Sequence, residues 1–557
     1  MPIFSLHKSI NLTLAVSGIV CLLFMSSFET LAQVGKDTTP QTVTIVSAYK
    51  PQLRSVAKIN FSASGLPADT SRFVRSYRVP VNELYFGYTA VETIALEPER
   101  DSVPQSGRHF FVRAGYGNFS TPILKAGIHL GNVQKLYTNI YFDHTASKGS
   151  LPNQQWARSG LQGFVGYHTE RHEWSAMVKS GMENRYLYGY AGPQAAYPKS
   201  PVQQFFREQV FQIRMRNTAE NRFGIQYQPL VEWNRFVKKD SLSEQTIRIE
   251  APFSKLIRDS LLLTVSALAD ITSVQTKNRG NRDTSFRNPL LVFNPAVEWK
   301  HKKINAHLGI SGVSTNGEFN FLPDIRVAYK SNNSRWGILA GWTGQVKKNT
   351  NRQLTQFNPF LITSTIQTNT IETELYGGVQ TSFLRYFRFS ARIGLVRYKH
   401  FQLFLLDTLP GSQGYQLSDE PKMSNLRFQT SLSGELTERF SFQSQLVING
   451  YTGLDNNSRA WNTLPLEWTT AIRWLPISSL TLQADLYAFA GAQYILPDKT
   501  TGKMTGALDV GLSGEYRINS RWSAFIQGSN LLGKAYQRWQ RYPVLGTQVL
   551  GGVVFRM

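Results

Sequence analysis

The feature that most constrains this chain is a strict alternation of apolar and polar side chains that recurs along most of its length. Leu480, Leu482 and Leu486, for example, alternate with the polar Thr481 and Gln483. A period of two places the two kinds of side chain on opposite faces of a β-strand. The runs reach about 10 residues, which a tilted strand needs to cross a bilayer, whereas strands of soluble sandwiches average about 5–6 residues.

Counting these runs from Arg108 to the end predicts an all-β fold. We expect an antiparallel transmembrane β-barrel of about 22 strands, preceded by a short irregular N-terminal segment. An even number of strands puts both ends of the barrel on the same side. Beyond the N-terminus no run of about 18 apolar residues could form a transmembrane helix.

Connection lengths orient the predicted barrel. Tight turns alternate with longer connections, as they do in barrels with short periplasmic turns and long outer loops. The tight turns include 131–134, 170–172, 301–303, 437–439 and 519–521, and the longer connections include 145–158, 187–204, 348–367, 407–422 and 532–544. Trp174, Trp474 and Trp522 lie beside tight turns and predict an aromatic girdle at the periplasmic interface. We therefore expect the protein in the outer membrane of a bacterium.

The N-terminus has the pattern of a secretion signal. Lys8 precedes an apolar stretch, and Thr30-Leu31-Ala32 offers a cleavage site before Gln33. The predicted organisation is a signal peptide at 1–32, a periplasmic or lumenal segment at 33–107, and the barrel at 108–557. The single cysteine lies in the signal, so we expect no disulfides in the mature protein.

Three segments resemble features of known outer-membrane proteins. Gly552, Phe555 and Met557 resemble the C-terminal signal that the barrel-assembly machinery reads. Near the mature N-terminus, an extended run is similar to the TonB box of TonB-dependent outer-membrane receptors, and the region from Asn530 to Gly546 is similar to the closing hairpin of the same superfamily. The TonB-box-like run consists of Thr42, Val43, Thr44, Ile45, Val46, Ser47 and Ala48.

The resemblance implies a receptor that imports an unidentified solute, with the TonB-box-like run as an added strand on the energising partner TonB. The stretch between that run and the barrel is shorter than a complete plug domain. Three alternatives remain open: a reduced plug in the lumen, outer loops that fold inward, or a partner that closes the pore. A passive porin-like channel and a structural or assembly component of an outer-membrane complex are the alternative functions.

The sequence gives little support for a catalytic site or a metal site. His144, His168 and His172 lie near Asp143, Glu170 and Glu173 in the sequence. A Ser-His-acid triad would need three such groups together at one rim, while histidines at polar strand ends are common. The ligand spacing of a metal site and a phosphate-binding glycine-rich loop are both missing. We expect no enzyme activity, no cofactor and no metal.

The formal net charge of +23 is spread along the chain, so nucleic acid is not an expected partner. Five arginines on polar strand faces are lumen candidates: Arg113, Arg214, Arg216, Arg392 and Arg473. They could attract anionic solutes, or they could pair with lumen carboxylates and rigidify the barrel. Lys238-Lys239 and Lys347-Lys348 lie at strand-to-loop boundaries, and we expect them to contact solvent or lipopolysaccharide phosphates. We expect outer-membrane lipid to surround the barrel.

Overall fold

The computed structural model describes residues 109–132, 134–189, 199–238, 241–276, 284–331, 335–362, 368–383, 386–407 and 413–557. The expected signal peptide, the segment 33–107 and its TonB-box-like run lie outside the described residues.

One large antiparallel sheet accounts for most of the described chain. Its strands are β1 His109–Gly117, β2 Thr121–Asn132, β3 Leu136–Ser147, β4 Trp156–His168, β5 His172–Tyr186, β6 Gln203–Asn217, β7 Ile225–Tyr227, β8 Leu230–Lys238, β9 Leu242–Arg258, β10 Leu261–Thr276, β11 Thr284–Lys300, β12 Ile304–Thr315, β13 Glu318–Lys330, β14 Trp336–Lys347, β15 Thr370–Phe383, β16 Phe387–Leu406, β17 Tyr415–Thr437, β18 Phe440–Thr452, β19 Leu466–Ile477, β20 Leu480–Phe489, β23 Ala507–Arg517, β24 Trp522–Ser529 and β27 Gln548–Arg556.

The remaining elements lie in the connections. They are the helices α1 Lys199–Val202 and α2 Asn351–Phe357 and the short hairpins β21 Gln493–Ile495 with β22 Thr501–Lys503 and β25 Gln537–Trp539 with β26 Tyr542–Pro543. No helix among the described residues has the length and apolar character that a bilayer span requires.

The sheet closes into a barrel. Strands that follow one another around the barrel are antiparallel partners, with β20 on β23 and β24 on β27 where a short hairpin intervenes in the chain. The first strand, β1, pairs with the last, β27, from Phe111↔Arg556 to Gly117↔Leu550. Strands β7 and β8 both pair with β9, and Pro229 between them cannot donate a ladder hydrogen bond, so they are two parts of one strand. The 23 strands of the sheet thus form 22 barrel strands, as the alternation predicted.

The outer face of the barrel is apolar. Ile393 and Leu395 of β16 and Leu512 of β23 have more than half of their side-chain surface exposed. Such a belt is stable only against lipid, and the barrel is an outer-membrane protein, as expected. The exposed Trp174 and Trp522 lie at the strand ends that the tight turns join, where the girdle was predicted.

The two ends of the barrel differ in their connections. Turns on the side where β1 begins and β27 ends are short, and the amide of Phe110 donates to the carbonyl of Met557 there at 2.9 Å. Long connections lie at the opposite end, although 118–120 and 316–317 on that side are short too. The expected loop 407–422 is shorter than predicted, because β17 already begins at Tyr415 and extends the barrel wall outward.

Glycines allow β1 and β27 to pair closely at the seam that closes the barrel. Gly115 of β1 and Gly552 of β27 are register partners, and the ring of Phe525 covers both. A Cβ on Gly552 would lie 2.1 Å from the carbonyl oxygen of Ala114. The first and last strands can therefore approach this closely only without side chains at that position.

Candidate functional site

The described part of the connection between β14 and β15, residues 348–362, folds across the outer end of the lumen. Helix α2 begins after Thr350, whose hydroxyl accepts a hydrogen bond from the amide of Gln353 at 3.2 Å. The carboxylate of Glu244 on β9 accepts hydrogen bonds from the backbone amides of Asn351, at 2.7 Å, and Arg352, at 3.2 Å. A strand that is not a neighbour of β14 or β15 therefore fixes the start of the helix.

Three further contacts hold the same connection. Arg352 Nη1 lies 2.7 Å from Glu208 Oε1 on β6, and Lys348 forms an ion pair with Asp270 on β10. Lys238 Nζ donates to the carbonyl of Leu361 at 2.9 Å. Charged groups on three distant strands thus hold this outer loop in its inward position.

These contacts correct the expectation for the paired lysines. Lys238 and Lys348 are only 8% and 7% exposed, so neither meets solvent or lipopolysaccharide. The ammonium group of Lys238 binds the inward loop, and that of Lys348, within the loop, binds Asp270 on β10. Local sequence could not indicate either contact. Burial lowers the pKa of Lys348, and the nearby Asp270 carboxylate partly offsets this effect.

Aromatic side chains from several outer connections form a roof over the lumen. Phe360 stacks on Tyr542 with ring centroids 3.6 Å apart, and Tyr188 packs against Tyr542 at 5.0 Å. The buried Trp539 contacts Tyr415 at 5.3 Å. We call this cluster the outer roof: Leu187, Val202, Leu354, Phe360, Leu361, Phe404, Leu406, Tyr415, Trp539 and Tyr542. Burial raises the pKa of Tyr188 to about 12.

Of the three alternatives for what fills the lumen, the structure supports inward-folding outer loops, because residues of the long outer connections meet in the outer roof. A parallel bridge joins Leu361 to Tyr415, with the amide of Tyr415 donating to the carbonyl of Phe360 at 2.9 Å. This bridge ties the loop 348–362 to the barrel wall. A reduced plug would consist of residues outside the described ranges, and a partner that closes the pore would be another protein, so both alternatives stay open.

A cavity of about 170 Å³ lies beneath α2, against the lumen wall formed by β16 to β20. Its lining mixes rings with amides and charged groups. The aromatic lining residues are Phe357, Tyr398, Phe401, Phe404, Tyr451, Trp461 and Tyr487. Concave sites of this composition, with a few polar groups among apolar ones, are typical of small-molecule binding.

Two of the cations that line the cavity have carboxylate partners. Arg427 Nη1 lies 2.9 Å from Glu372 Oε1, and Lys348 pairs with Asp270. Arg538 differs. Its guanidinium donates to the carbonyl of Asn462 at 3.3 Å and lies 4.6 Å from the ring centre of Trp539.

The five lumen arginines occupy the inner face of the wall, since the apolar residues beside them face lipid. Arg113 Nη1 lies 3.0 Å from Glu515 Oε2, and Arg216 pairs with Glu173. Arg392 donates to Gln429 at 2.9 Å and lies 3.7 Å from Glu374. Arg214 and Arg473 are half-buried on β6 and β19. None of the five lines the cavity, and their effect on a solute stays a prediction.

The sequence reasoning missed Arg427 and Arg538. A signal for Arg538 does exist, because Tyr536, Trp539 and Tyr542 crowd a connection that should face water. An outer loop so rich in aromatic residues has to bury them, and the arginine among them is then buried too.

The suspected catalytic groups do not assemble. His144 Nδ1 lies 2.8 Å from the hydroxyl of Ser159, but Asp143 is on the opposite face of β3. His168 lies 3.7 Å from Glu173, and His172 bonds to the Tyr227 hydroxyl at 3.0 Å. Within the described part of the chain, no three His, Cys, Asp or Glu side chains are placed to hold a metal ion.

The residues of the C-terminal signal lie on β27 and just beyond it. The ring of Phe555 packs on Trp522 at 4.9 Å, Gly552 lies in the seam, and Met557 is exposed. Recognition by the assembly machinery stays a prediction.

The fold matches solved outer-membrane receptors. The ferric enterobactin receptor PfeA of Pseudomonas aeruginosa aligns with a TM-score of 0.60 and 12% identity, over 81% of this chain and 80% of PfeA. The FrpB iron transporter of Neisseria meningitidis aligns at 0.63 and 8%, over 81% of each chain. The siderophore receptor PirA of Acinetobacter baumannii aligns at 0.62 and 9%, over 81% of this chain and 80% of PirA.

The class that these features define is a 22-stranded outer-membrane barrel. In particular, the chain has the fold of TonB-dependent receptors, so the fold implied by the sequence resemblance is confirmed. No protein-family model and no curated protein matches the chain.

Proposed function

We propose that this protein is a TonB-dependent-receptor-like importer that takes up a small solute across the outer membrane. The observation that carries the proposal is the outer roof over a lined cavity in a barrel of the receptor fold. A site enclosed in this way suits capture of a solute followed by gated release. The matched structures are receptors and transporters, which supports transport rather than catalysis.

The N-terminal segment would couple transport to energy. In this proposal the run from Thr42 to Ala48 adds as a strand to a sheet edge of TonB, and the segment 33–107 acts as a reduced plug. Main-chain hydrogen bonds would carry the affinity. Gly552, Phe555 and Met557 would direct assembly, and lipid and lipopolysaccharide would surround the apolar belt.

The outer roof argues against the passive porin. Loop contacts made by Glu244, Arg352 and Lys348 across the lumen restrict the space that free diffusion would need. A structural role in a complex has no specific support among the described residues.

The test is binding of the purified periplasmic domain of TonB to the mature protein. We expect binding by the wild type and its loss in the double variant Val43→Pro/Ile45→Pro, since proline removes main-chain donors from the added strand. Val34→Pro/Asp37→Pro, in the polar stretch before the box, is the matched control and should bind as the wild type does. Failure of the wild type to bind, or equal binding by both variants, would contradict the proposal.

A further inference from the structure

Three basic side chains lie together on the lipid-facing side of the barrel wall, towards its outer end. Arg397 and Lys399 of β16 and Lys422 of β17 are exposed, whereas Tyr398 and Met423, which alternate with them, are buried. The register pairs Lys399 directly with Lys422, and Arg397 lies two residues along the same face. We call this group the outer basic patch: Arg397, Lys399 and Lys422.

The outer basic patch is electrostatically unfavourable without an added anion. Register partners have Cβ atoms about 4.5–5.5 Å apart, and like charges at that distance destabilise a sheet. Among the described residues, Asp455 is the only carboxylate within ion-pair distance of the three cations. It lies 3.8 Å from Lys422 Nζ, and both side chains are exposed, so this pair contributes little. Lys399 Nζ lies 3.4 Å from the amide oxygen of Asn320, which carries no charge.

The apolar belt begins directly below the patch. Leu395 and Leu426 are exposed register partners on the same face of β16 and β17. A tilted strand rises roughly 2.5 Å along the membrane normal per residue, so Arg397 and Lys399 lie about 5 and 10 Å beyond Leu395. The three cations therefore lie at the height where an apolar belt ends and the lipid head groups begin.

Neutral groups on the same surface suit the head-group region. Thr373 of β15 and Ser424 of β17 are the register partners of Arg397, so their hydroxyls lie on the same face. Beside the contact with β13 lie two exposed rings, Phe319 and Phe321, whose centroids are 5.0 Å apart. Hydroxyls can donate to phosphate oxygens, and aromatic rings are enriched at the interface between head groups and acyl chains.

The position and the charge together define the ligand. It must carry negative charge next to apolar chains, because the cations continue directly into the belt. It must also reach the lipid-facing side of the barrel at the end with the long connections, which faces outward in this class of barrel. The outer leaflet there contains lipopolysaccharide, whose lipid A part joins phosphates and acyl chains in one molecule. Free phosphate would match the cations alone.

We propose that the outer basic patch is a binding site for the lipid A phosphates of lipopolysaccharide, with the acyl chains lying on Leu395 and Leu426 below. Arginine can hold a phosphate through two parallel hydrogen bonds, and the two lysines add point charges beside it. The inference goes beyond the proposed function, which places lipopolysaccharide around the belt without a site. It needs neither TonB nor a solute, so its failure and the failure of TonB binding are separate results.

The experiment uses the purified full-length mature protein in detergent, and native mass spectrometry measures the bound lipid. The probes are lipid A, lipid A without its phosphates, and phosphatidylglycerol. We expect lipid A to bind about tenfold or more tighter than the other two, because each cation near an anionic head group adds to the affinity. Equal binding of the dephosphorylated form would overturn the proposal without any variant. Equal binding of phosphatidylglycerol, or displacement of lipid A by inorganic phosphate, would show a general anion site instead.

The variant Arg397→Gln/Lys399→Gln/Lys422→Gln should bind lipid A about tenfold or more weaker than the wild type. In phosphatidylcholine vesicles it should unfold at no lower denaturant concentration, because it removes a repulsion. Lys399→Arg/Lys422→Arg keeps the charges and should bind lipid A as the wild type does. Unchanged binding in the glutamine variant, or an equal loss in the arginine variant, would overturn the role of these charges.

The matched control removes the same charge from the opposite end of the barrel. Lys302, Lys303 and Lys330 are exposed at the periplasmic turns. Lys302→Gln/Lys303→Gln/Lys330→Gln should bind lipid A normally, since these lysines lie at the other leaflet. A loss of lipid A binding equal to that of the patch variant would mean that net charge, and not the outer basic patch, determines binding.

Discussion

A single arginine placed on the lipid face tests the position of the barrel in the membrane. Ile393 of β16 is 52% exposed and pairs in register with Phe428, so its side chain points into the apolar belt. A strand tilted by about 40° rises roughly 2.5 Å along the membrane normal per residue. Ile393 then lies about 15 Å from Phe387 at the periplasmic end of the strand and about 10 Å from the exposed Arg397.

An apolar belt of about 25 Å puts this position near the midplane. Ile393→Arg should therefore cost about 2–4 kcal/mol of unfolding free energy, because a guanidinium there must be desolvated or must drag water inward.

Leu482 provides the matched comparison, since an arginine there would cost about 2–4 kcal/mol only if the position lay near the midplane. The register pairs Leu482 with Trp474 of the periplasmic girdle, two residues from the start of β20, or about 5 Å in depth. Leu482→Arg should cost only about 0–1 kcal/mol, since the side chain can reach the interface.

The assay is reversible denaturant unfolding from lipid vesicles, followed by tryptophan fluorescence and by electrophoretic mobility of the folded barrel. The two variants carry the same chemical change, so their difference isolates depth. Equal costs, or a larger cost at Leu482, would show that the belt is placed wrongly on these strands.

Two further changes test the seam and the loop. Gly552→Val should destabilise the barrel by at least about 1–3 kcal/mol in the same unfolding assay, because the clash is with backbone that cannot move aside, whereas Gly163→Ala should be nearly neutral since nothing lies within 4 Å of its added Cβ. A stable Gly552→Val barrel would refute the close seam. Glu244→Ala should speed hydrogen exchange of the first turn of α2, with loss of about 1–3 kcal/mol of local protection, while the more exposed Glu250→Ala should not. Unchanged exchange in Glu244→Ala would mean that the carboxylate does not anchor the loop.

The barrel could be predicted because its signal is local. Alternation within one strand reports which face meets lipid, as in Leu508 and Leu512, without knowledge of the neighbouring strands. The strand count and the side of the termini follow from that pattern and from turn lengths. The depth of a residue such as Leu482 in the membrane does not follow, because depth depends on the register with the neighbouring strands β19 and β23.

The candidate site could be predicted only in part, because distant segments build it. In the sequence, Lys238 and Lys348 look like ordinary boundary lysines, and only the inward fold of the loop 348–362 shows what they bind. Arg538 is one arginine among many until the aromatic residues around it are buried in the outer roof. Such contacts between loops far apart in sequence leave no periodic pattern.

Single-channel recording tests the central claim most directly. The mature protein in a planar bilayer should show no large steady conductance, because the outer roof covers the outer end of the lumen and, in the proposed function, the segment 33–107 acts as a plug. Removal of 33–107 together with replacement of 351–361 by a glycine-serine linker should give large open steps, which would show that the barrel itself is wide. Large steady steps from the unaltered mature protein would contradict the account and would identify a passive pore.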